Sequence, residues 1–261
     1  MPDRVPFRPK QSLGQNFIHD PNMIAKIVDA LEAPPEAAVV EVGAGTGALT
    51  ERLAAKYDNL LAVEVDERAV EVLRGALPGV DLREMDVRDV DWAAVADERG
   101  RPLHVISNTP YYLTTEILFA LLEAREHVAE AVLTMQKEVA ERIVAEPRTK
   151  AYGILSVLLQ LFARPRYAFT VSRHVFYPQP DVTSAVLHVT FDASEEPEGL
   201  SLDAVRPVVQ AAFNQRRKML RNSLSAFTED RDLPEEIGRK RAEALSPEQF
   251  ADLTRYLRGE E

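Results

Sequence analysis

A chain of 261 residues, 46% hydrophobic and 28% charged, has the length for one large domain and one small one and is too apolar for a disordered segment. No apolar run reaches the eighteen residues that a membrane span needs, and the absence of cysteine excludes disulfides and cysteine-ligated zinc. The formal charge of −11 argues at first sight against a polyanionic partner.

The opening MPDRVPFRPKQSLGQNF has no signal-like apolar region, which predicts a cytoplasmic protein. Residues 21–32 predict a helix, with Ile24, Ile27, Val28 and Leu31 on one face, Asp20 as cap and Pro21 in the first turn. Short apolar runs then alternate with helical patterns. Strands are expected at 38–43, 60–65, 80–85, 103–108 and 130–135, with helices near 46–56, 67–76 and 114–124. Such alternation predicts a mostly parallel sheet with helices on both faces. Helical patterns follow at 137–145 and 152–162. Two more strands, 167–172 and 185–191, are close enough in sequence to pair antiparallel at an edge, making seven. The acidic DASEEPEG (192–199) reads as a linker, and 202–213, 214–227, 234–244 and 247–257 read as helices. The expected architecture is therefore an α/β domain at 1–191, a linker at 192–199 and a small all-helical domain at 200–261.

EVGAGTG (41–47) lies where the first strand of that alternation turns into a helix. Glycines there let the backbone approach a ligand and leave helix N-terminal amides free. Gly43, Gly45 and Ala48 also fit the dinucleotide fingerprint, so the loop alone does not separate NAD from other nucleotide cofactors. Glu64, at the next strand end, suits the ribose hydroxyls of NAD or of S-adenosylmethionine, or is a solvated strand end. Asp86, past the third strand, can accept from an adenine amino group or cap a turn. Three such groups at three consecutive strand ends point to a ligand crevice.

The fourth strand ends in ISNTPYY (106–112). An exocyclic purine amine is a poor nucleophile because its lone pair is delocalised into the ring. Two acceptors on its two N–H bonds would favour the more tetrahedral nitrogen that attack on a sulfonium methyl requires. The Asn108 side-chain oxygen can be one, and the carbonyl of Thr109 or Pro110 the other; proline also fixes the local backbone. Tyr111 can stack on a flipped base. In VFYPQPDVTS (175–184), Phe176 either covers the opposite face of that base or packs into the core.

Charge is unevenly spread. Residues 147–180 and 204–228 contain no acid and are each +5, so the rest of the chain carries about −21. In the second tract Arg216, Arg217, Lys218 and Arg221 read as a basic helical surface without a nearby acid, suited to phosphate contacts or simply solvated.

SLGQNF (12–17), GAGTGALT (43–50), NTPY (108–111), MQKEVAERIVA (135–145), KAYGILSVL (150–158), FYPQPDVTSAV (176–186) and FNQRRKMLRNSL (213–224) occur in that order. Together they resemble the KsgA-type ribosomal RNA small-subunit adenine dimethyltransferases, from about residue 10 to the C-terminus. The resemblance implies the class I methyltransferase fold, Rossmann-like and seven-stranded, with a helical C-terminal domain. It also implies N6,N6-dimethylation of two adjacent adenines near the 3′ end of small-subunit rRNA, with S-adenosylmethionine as donor. The expected setting is a monomer acting on a pre-30S-like particle, without a membrane partner or a metal. Asn16, Ile18, Gly43, Gly45, Glu64, Asp86 and Asn108 would border the cofactor. Asn108, Pro110, Tyr111 and Phe176 would form the target site. The family usually has Leu where this chain has Thr109. Competing readings are a large-subunit rRNA adenine methyltransferase of the macrolide-resistance type, an NAD-dependent dehydrogenase and a non-catalytic ribosome-assembly factor.

Overall fold

The computed structural model describes residues 6–100, 102–108, 110–192, 194, 196–228 and 232–259. They fall into two compact units, one of residues 1–140 with 166–191 and one of 141–165 with 192–261.

The first unit begins with strand β1 (Phe17–Ile18) and helix α1 (Pro21–Asp29), where Asp20 Oδ1 accepts from Met23 N at 2.7 Å. The helix buries Ile24, Ile27 and Val28, as its periodicity predicts. Then follow β2 (Ala38–Val42), α2 (Thr50–Lys56), β3 (Asn59–Glu64), α3 (Glu67–Ala76), β4 (Asp81–Glu84), α4 (Trp92–Arg99), β5 (Leu103–Asn108), α5 (Thr114–Glu123), β6 (Val128–Gln136) and α6 (Lys137–Ile143), whose end lies in the second unit. β7 (Arg164–Val171), β8 (Phe176–Tyr177) and β9 (Ser184–Thr190) come later in the chain.

The main sheet has seven strands in the order β4-β3-β2-β5-β6-β9-β7. β2 pairs in parallel with β3 and β5, β4 with β3, and β5 with β6, whereas β9 runs antiparallel to β6. The last two strands are indeed neighbours, but β9 is interior and β7 alone takes the edge. β2 is buried at every position, as expected of a strand covered on both faces. The chain moves outward from β2 through β3 and β4, then returns to β5 on the other side. The switch point between β2 and β5 is where such sheets open a crevice at their carboxyl ends. β1 and β8 form a separate antiparallel pair beside it, with Ile18 opposite Phe176.

α4 is absent from the expected elements. It buries only Trp92, Val95 and Ala96, too short a stripe for periodicity to register. Its ends are nevertheless marked by an Asp91 cap on Ala94 N and by Gly100 at φ +65°.

The second unit contains α7 (Ile154–Phe162), α8 (Leu202–Asn214), α9 (Leu220–Ser223), α10 (Glu235–Gly238) and α11 (Pro247–Arg258). The expected domain of 1–191 therefore loses 141–165. Six of the nine residues of α7 are buried, and the helix packs against α8 and α11. Tyr152 fastens the same segment, donating to Leu245 O at 2.9 Å. Within the expected linker, Ala193 and Glu195 lie outside the described residues. The expected helix at 214–227 is broken: α8 ends at Asn214, residues 215–219 form a turn, and α9 restarts at Leu220. Three successive cations at 216–218 offer no apolar face to hold a helix there. No helix among the described residues is long and apolar enough to cross a membrane.

Candidate active site

A cavity of about 350 Å³ opens over the carboxyl ends of β2, β3 and β5, within the size range of small-molecule sites. It gathers all ten residues expected to bind cofactor or target: Asn16, Ile18, Gly43, Gly45, Glu64, Asp86, Asn108, Pro110, Tyr111 and Phe176. They come from six segments of sequence, so the fold alone unites them.

The glycine loop forms one wall. Helix α2 begins at Thr50 rather than near 46, because 43–48 are spent on the turn. Gly45 sits at φ +56°, and a Cβ on it would lie 3.0 Å from the Phe17 ring, so both conformation and space demand glycine. Gly45 N donates to Glu64 Oε2 at 2.7 Å, while Val65 N and Asp66 N donate to Oε1 at 2.9 and 2.8 Å. A carboxylate has about four acceptor positions. Three are filled here, so Glu64 offers a ligand one more, not the two that a ribose diol would take. Its first task is to clasp the glycine loop to the end of β3.

Asp86 is both a cap and a cavity-lining residue. It caps a short 3₁₀ turn through Arg88 N at 2.9 Å and lines the cavity. Arg88 also grips the carboxylate through Nε at 3.0 Å and Nη2 at 2.6 Å, which holds the Asp86 carboxyl below the usual range. Asp86 is thus an ionised acceptor at the rim.

Behind the loop, Glu41 is completely buried, and neither carboxylate oxygen has a hydrogen-bond partner among the described residues. Burial pushes its carboxyl up to about 8; the nearby Thr50 hydroxyl opposes the rise and the Glu64 charge adds to it.

On the target side, Asn108 Nδ2 donates to Asn16 O at 2.9 Å, and Asn16 Nδ2 donates to Gly14 O at 3.1 Å. A peptide carbonyl can only accept, so the NH₂ branch of Asn108 must face it. The oxygen branch is left as an acceptor on a side chain that lines the cavity, with no partner among the described residues. The Pro110 carbonyl, one of the two candidates for the second acceptor, already has a partner in the turn. It receives Leu113 N at 2.9 Å. Thr109, the other candidate acceptor, lies outside the described residues.

The Tyr111 hydroxyl is 2.6 Å from Ser184 Oγ, which fixes the ring. Burial pushes this hydroxyl up, against the opposing bond to Ser184. Phe176 is 3% exposed and belongs to the same core cluster as Ile18 and Val171, yet it lines the cavity. Its two readings are compatible, because its ring is rigidly seated where a ligand could meet it.

Several residues at the site had no expected role. The Asp66 side chain is fully buried and receives Lys10 Nζ at 3.2 Å, Gln15 Nε2 at 2.8 Å, and Arg68 Nε and Nη2 at 3.0 and 2.5 Å. Arg68 leads in holding its carboxyl far below the usual range; burial opposes this, and Gln15 and Lys10 reinforce it. Arg68 also donates to Arg8 O at 2.9 Å and lies over the Phe7 ring. Tyr112 is 54% exposed at the cavity mouth, resting against Gly14. The only hint of this in the sequence is an acid two residues after Glu64, with cations at Lys10 and Arg68.

The four expected RNA-binding cations lie in the second unit and are not alike. Arg217, Lys218 and Arg221 are exposed. Arg216 is committed: Nε pairs with Glu243 Oε2 at 2.9 Å, and Nη1 and Nη2 donate to Lys150 O and Thr149 O at 2.9 and 3.1 Å. The expectation of no nearby acid fails there, because Glu243, distant in sequence, folds against it.

A sheet of this order, with an antiparallel strand inserted between two others and a ligand cavity at the switch point, has the class I methyltransferase architecture. Residues 7–258 match the family model described as ribosomal RNA adenine dimethylase, and the chain belongs to that family. It is 70% identical over 255 residues to ribosomal RNA small subunit methyltransferase A of Salinibacter ruber, covering 97% of this chain and 86% of that one. The protein of the same name from Chlorobium chlorochromatii is 42% identical over 94% of this chain and 92% of its own length. Among solved structures, a dimethyladenosine transferase from Plasmodium falciparum shares the fold, with a TM-score of 0.77 at 22% identity over 93% of this chain and 98% of that one. The 23S rRNA methyltransferase ErmE aligns with a TM-score of 0.72 at 26% identity, over 93% of this chain and all of the other.

Proposed function

We propose that this protein dimethylates the N6 amines of two adjacent adenines near the 3′ end of small-subunit rRNA. The methyl donor is S-adenosylmethionine and the substrate is a pre-30S-like particle. The protein acts as a cytoplasmic monomer during small-subunit biogenesis. The observation that carries this reading is the orientation of Asn108, whose NH₂ is claimed by Asn16 O while its oxygen remains available beside the cavity.

The residues present fit the donor. The Gly43–Gly47 loop leaves open space at Gly43, Asp86 is an ionised acceptor for an adenine amine, and Glu64 keeps one acceptor position for a ribose hydroxyl. Asn16 and Ile18 complete the wall. When bound, S-adenosylmethionine supplies a methyl group activated by a positively charged sulfur. Asn108 Oδ1 accepts one N–H of the target amine and aligns its lone pair, which is chiefly a contribution of orientation. Tyr111, fixed by Ser184, and Phe176 provide ring faces for the base. The methylated amine is cationic and strongly acidic, so its proton passes to water without a dedicated base. Arg217, Lys218 and Arg221 contribute phosphate contacts that orient the RNA without reading its sequence.

A large-subunit target is the second reading, favoured by the likeness to the 23S enzyme; the names of the 70% and 42% identical relatives favour the small subunit. The test uses ribosomal subunits from cells lacking the enzyme, incubated with the protein and S-adenosylmethionine and mapped by mass spectrometry. Two dimethyladenines near the 3′ end of the small-subunit RNA are expected. Methylation of large-subunit RNA instead, or of neither, overturns the proposal.

A further inference from the structure

We infer that Gln15 and Asp66 are positioning residues for methyl transfer, acting through the backbone of Asn16 on the Asn108 carboxamide. The inference rests on the function proposed above and concerns how its key amide is held.

An asparagine carboxamide has two nearly isosteric ends, and only its environment decides which one faces a ligand. Here the deciding atom is Asn16 O. That oxygen belongs to a segment with little regular structure of its own: the 3₁₀ turn at Gln11–Leu13 ends at Gly14 with φ +57°, and β1 begins only at Phe17. The position of Asn16 O therefore depends on side-chain ties. Gln15 supplies the nearest pair. Its Nε2 donates to Asp66 at 2.8 Å and its Oε1 accepts Lys10 N at 2.8 Å, so one side chain pins the loop at both ends. Asp66 is the anchor. It is buried, ionised and held from the far side by Arg68, and it adjoins Glu64, the clasp of the glycine loop. A carboxylate bound by several charged and neutral donors makes a stiff post, since charge-assisted bonds are short and strong.

The same segment touches both halves of the site. Phe17 abuts Gly45 of the glycine loop, and Gly14 leaves just the room that the Tyr112 ring takes. Loss of the Gln15 tie should loosen Asn16 O and let the Asn108 amide rotate or flip, replacing an acceptor with a donor at the target amine. Of the cofactor wall, Gly43, Glu64 and Asp86 are held independently of this tie, whereas Asn16 and Ile18 share its segment.

The experiment compares wild type, Gln15→Ala and the exchanged pair Gln15→Glu with Asp66→Asn, which keeps one carboxylate and one amide in contact. Single-turnover methylation of unmethylated small subunits at saturating donor and RNA is measured beside calorimetric affinity for S-adenosylhomocysteine and the melting temperature. The expected result for Gln15→Ala is a rate lowered about 10-fold to 100-fold, because small misplacements near a reacting group cost that much. Affinity for S-adenosylhomocysteine should change by less than about threefold on the same reasoning. The exchanged pair is expected to recover part of the lost rate, since it restores the contact between positions 15 and 66 but not the charge that Arg68 and Lys10 bind. A folded Gln15→Ala with wild-type rate refutes the inference, as does a rate loss matched by an equal loss of affinity, which would make Gln15 only a cavity wall. A wild type that fails to methylate either subunit refutes the proposed function instead.

Discussion

Two buried carboxyl groups of the central sheet, Glu130 near its amino ends and Glu41 near its carboxyl ends, are treated in opposite ways. At the amino ends of β5 and β6, Glu130 is surrounded by donors: His104 Nδ1 at 2.8 Å, His188 Nε2 at 2.5 Å and Glu32 N at 3.2 Å. Arg166 donates to His188 Nδ1 at 2.7 Å, so Nε2 carries the proton that His188 gives to Glu130. Burial alone would push the Glu130 carboxyl up, but the bonds from His104, His188 and Glu32 N prevail and hold it at about 2. At the carboxyl ends, Glu41 has no partner among the described residues, and Asn108 keeps an open acceptor beside the cavity. A carboxylate with donors on both oxygens, as at Glu130, ties β5, β6 and β9 together. An acceptor left open beside a cavity, as on Asn108, can receive a ligand.

The sharpest way to break this contrast is Asn108→Ala. Its expected cost is roughly 10²-fold to 10³-fold in methylation rate, by analogy with loss of one fixed dipole at a reacting centre. Filter-binding to the small subunit should stay near wild type. A variant that methylates normally would show that the open acceptor at the carboxyl ends has no catalytic use.

The next effect is on stability against pH, and the two carboxylates should act with opposite sign. The Glu41 carboxyl is raised to about 8 when folded. Between the ordinary carboxylate range and that value the unfolded chain has released this proton while the folded chain retains it. Glu41 therefore makes stability fall as pH rises, by at most about 1.4 kcal/mol per unit. Glu41→Gln should flatten that part of a urea-denaturation series. Glu130 is lowered to about 2. Its contribution is complete above the ordinary range and fades as pH falls toward 2, and Glu130→Gln should remove that acid-side loss. Unchanged slopes in both variants would mean that the two carboxyl groups do not differ as described.

The smallest expected effect lies in the second unit. Neutralising Arg217 and Lys218 together should reduce the salt slope of RNA binding by about two, near one for each phosphate contact. Arg216→Ala should instead lower the melting temperature, because Arg216 joins Glu243 to the 149–150 backbone. Equal salt slopes for wild type and the double variant would remove the phosphate role.

Much of the site was legible because strand ends converge in a doubly wound sheet. Once β2, β3 and β5 were placed, Gly43, Glu64 and Asn108 had to meet. What escaped was non-local pairing between polar residues. Gln15 meets Asp66 across fifty-one positions and Arg216 meets Glu243 across twenty-seven, with no periodicity to announce either contact. The amides that engage Glu64 were equally silent, because local backbone amides compete for a carboxylate at a strand end. Residues 141–165 were misassigned for a related reason. The apolar pattern of α7 announces burial but not whether the sheet or α8 and α11 will cover it.

The central claim, that Asn16 O turns the Asn108 oxygen toward the target amine, is most directly tested by a crystal structure with S-adenosylhomocysteine and adenosine bound. The expected geometry has Asn108 Oδ1 about 3 Å from adenosine N6, with Nδ2 still on Asn16 O. Adenosine bound with N6 turned away from Asn108, or an Asn108 amide that has left Asn16, would contradict it.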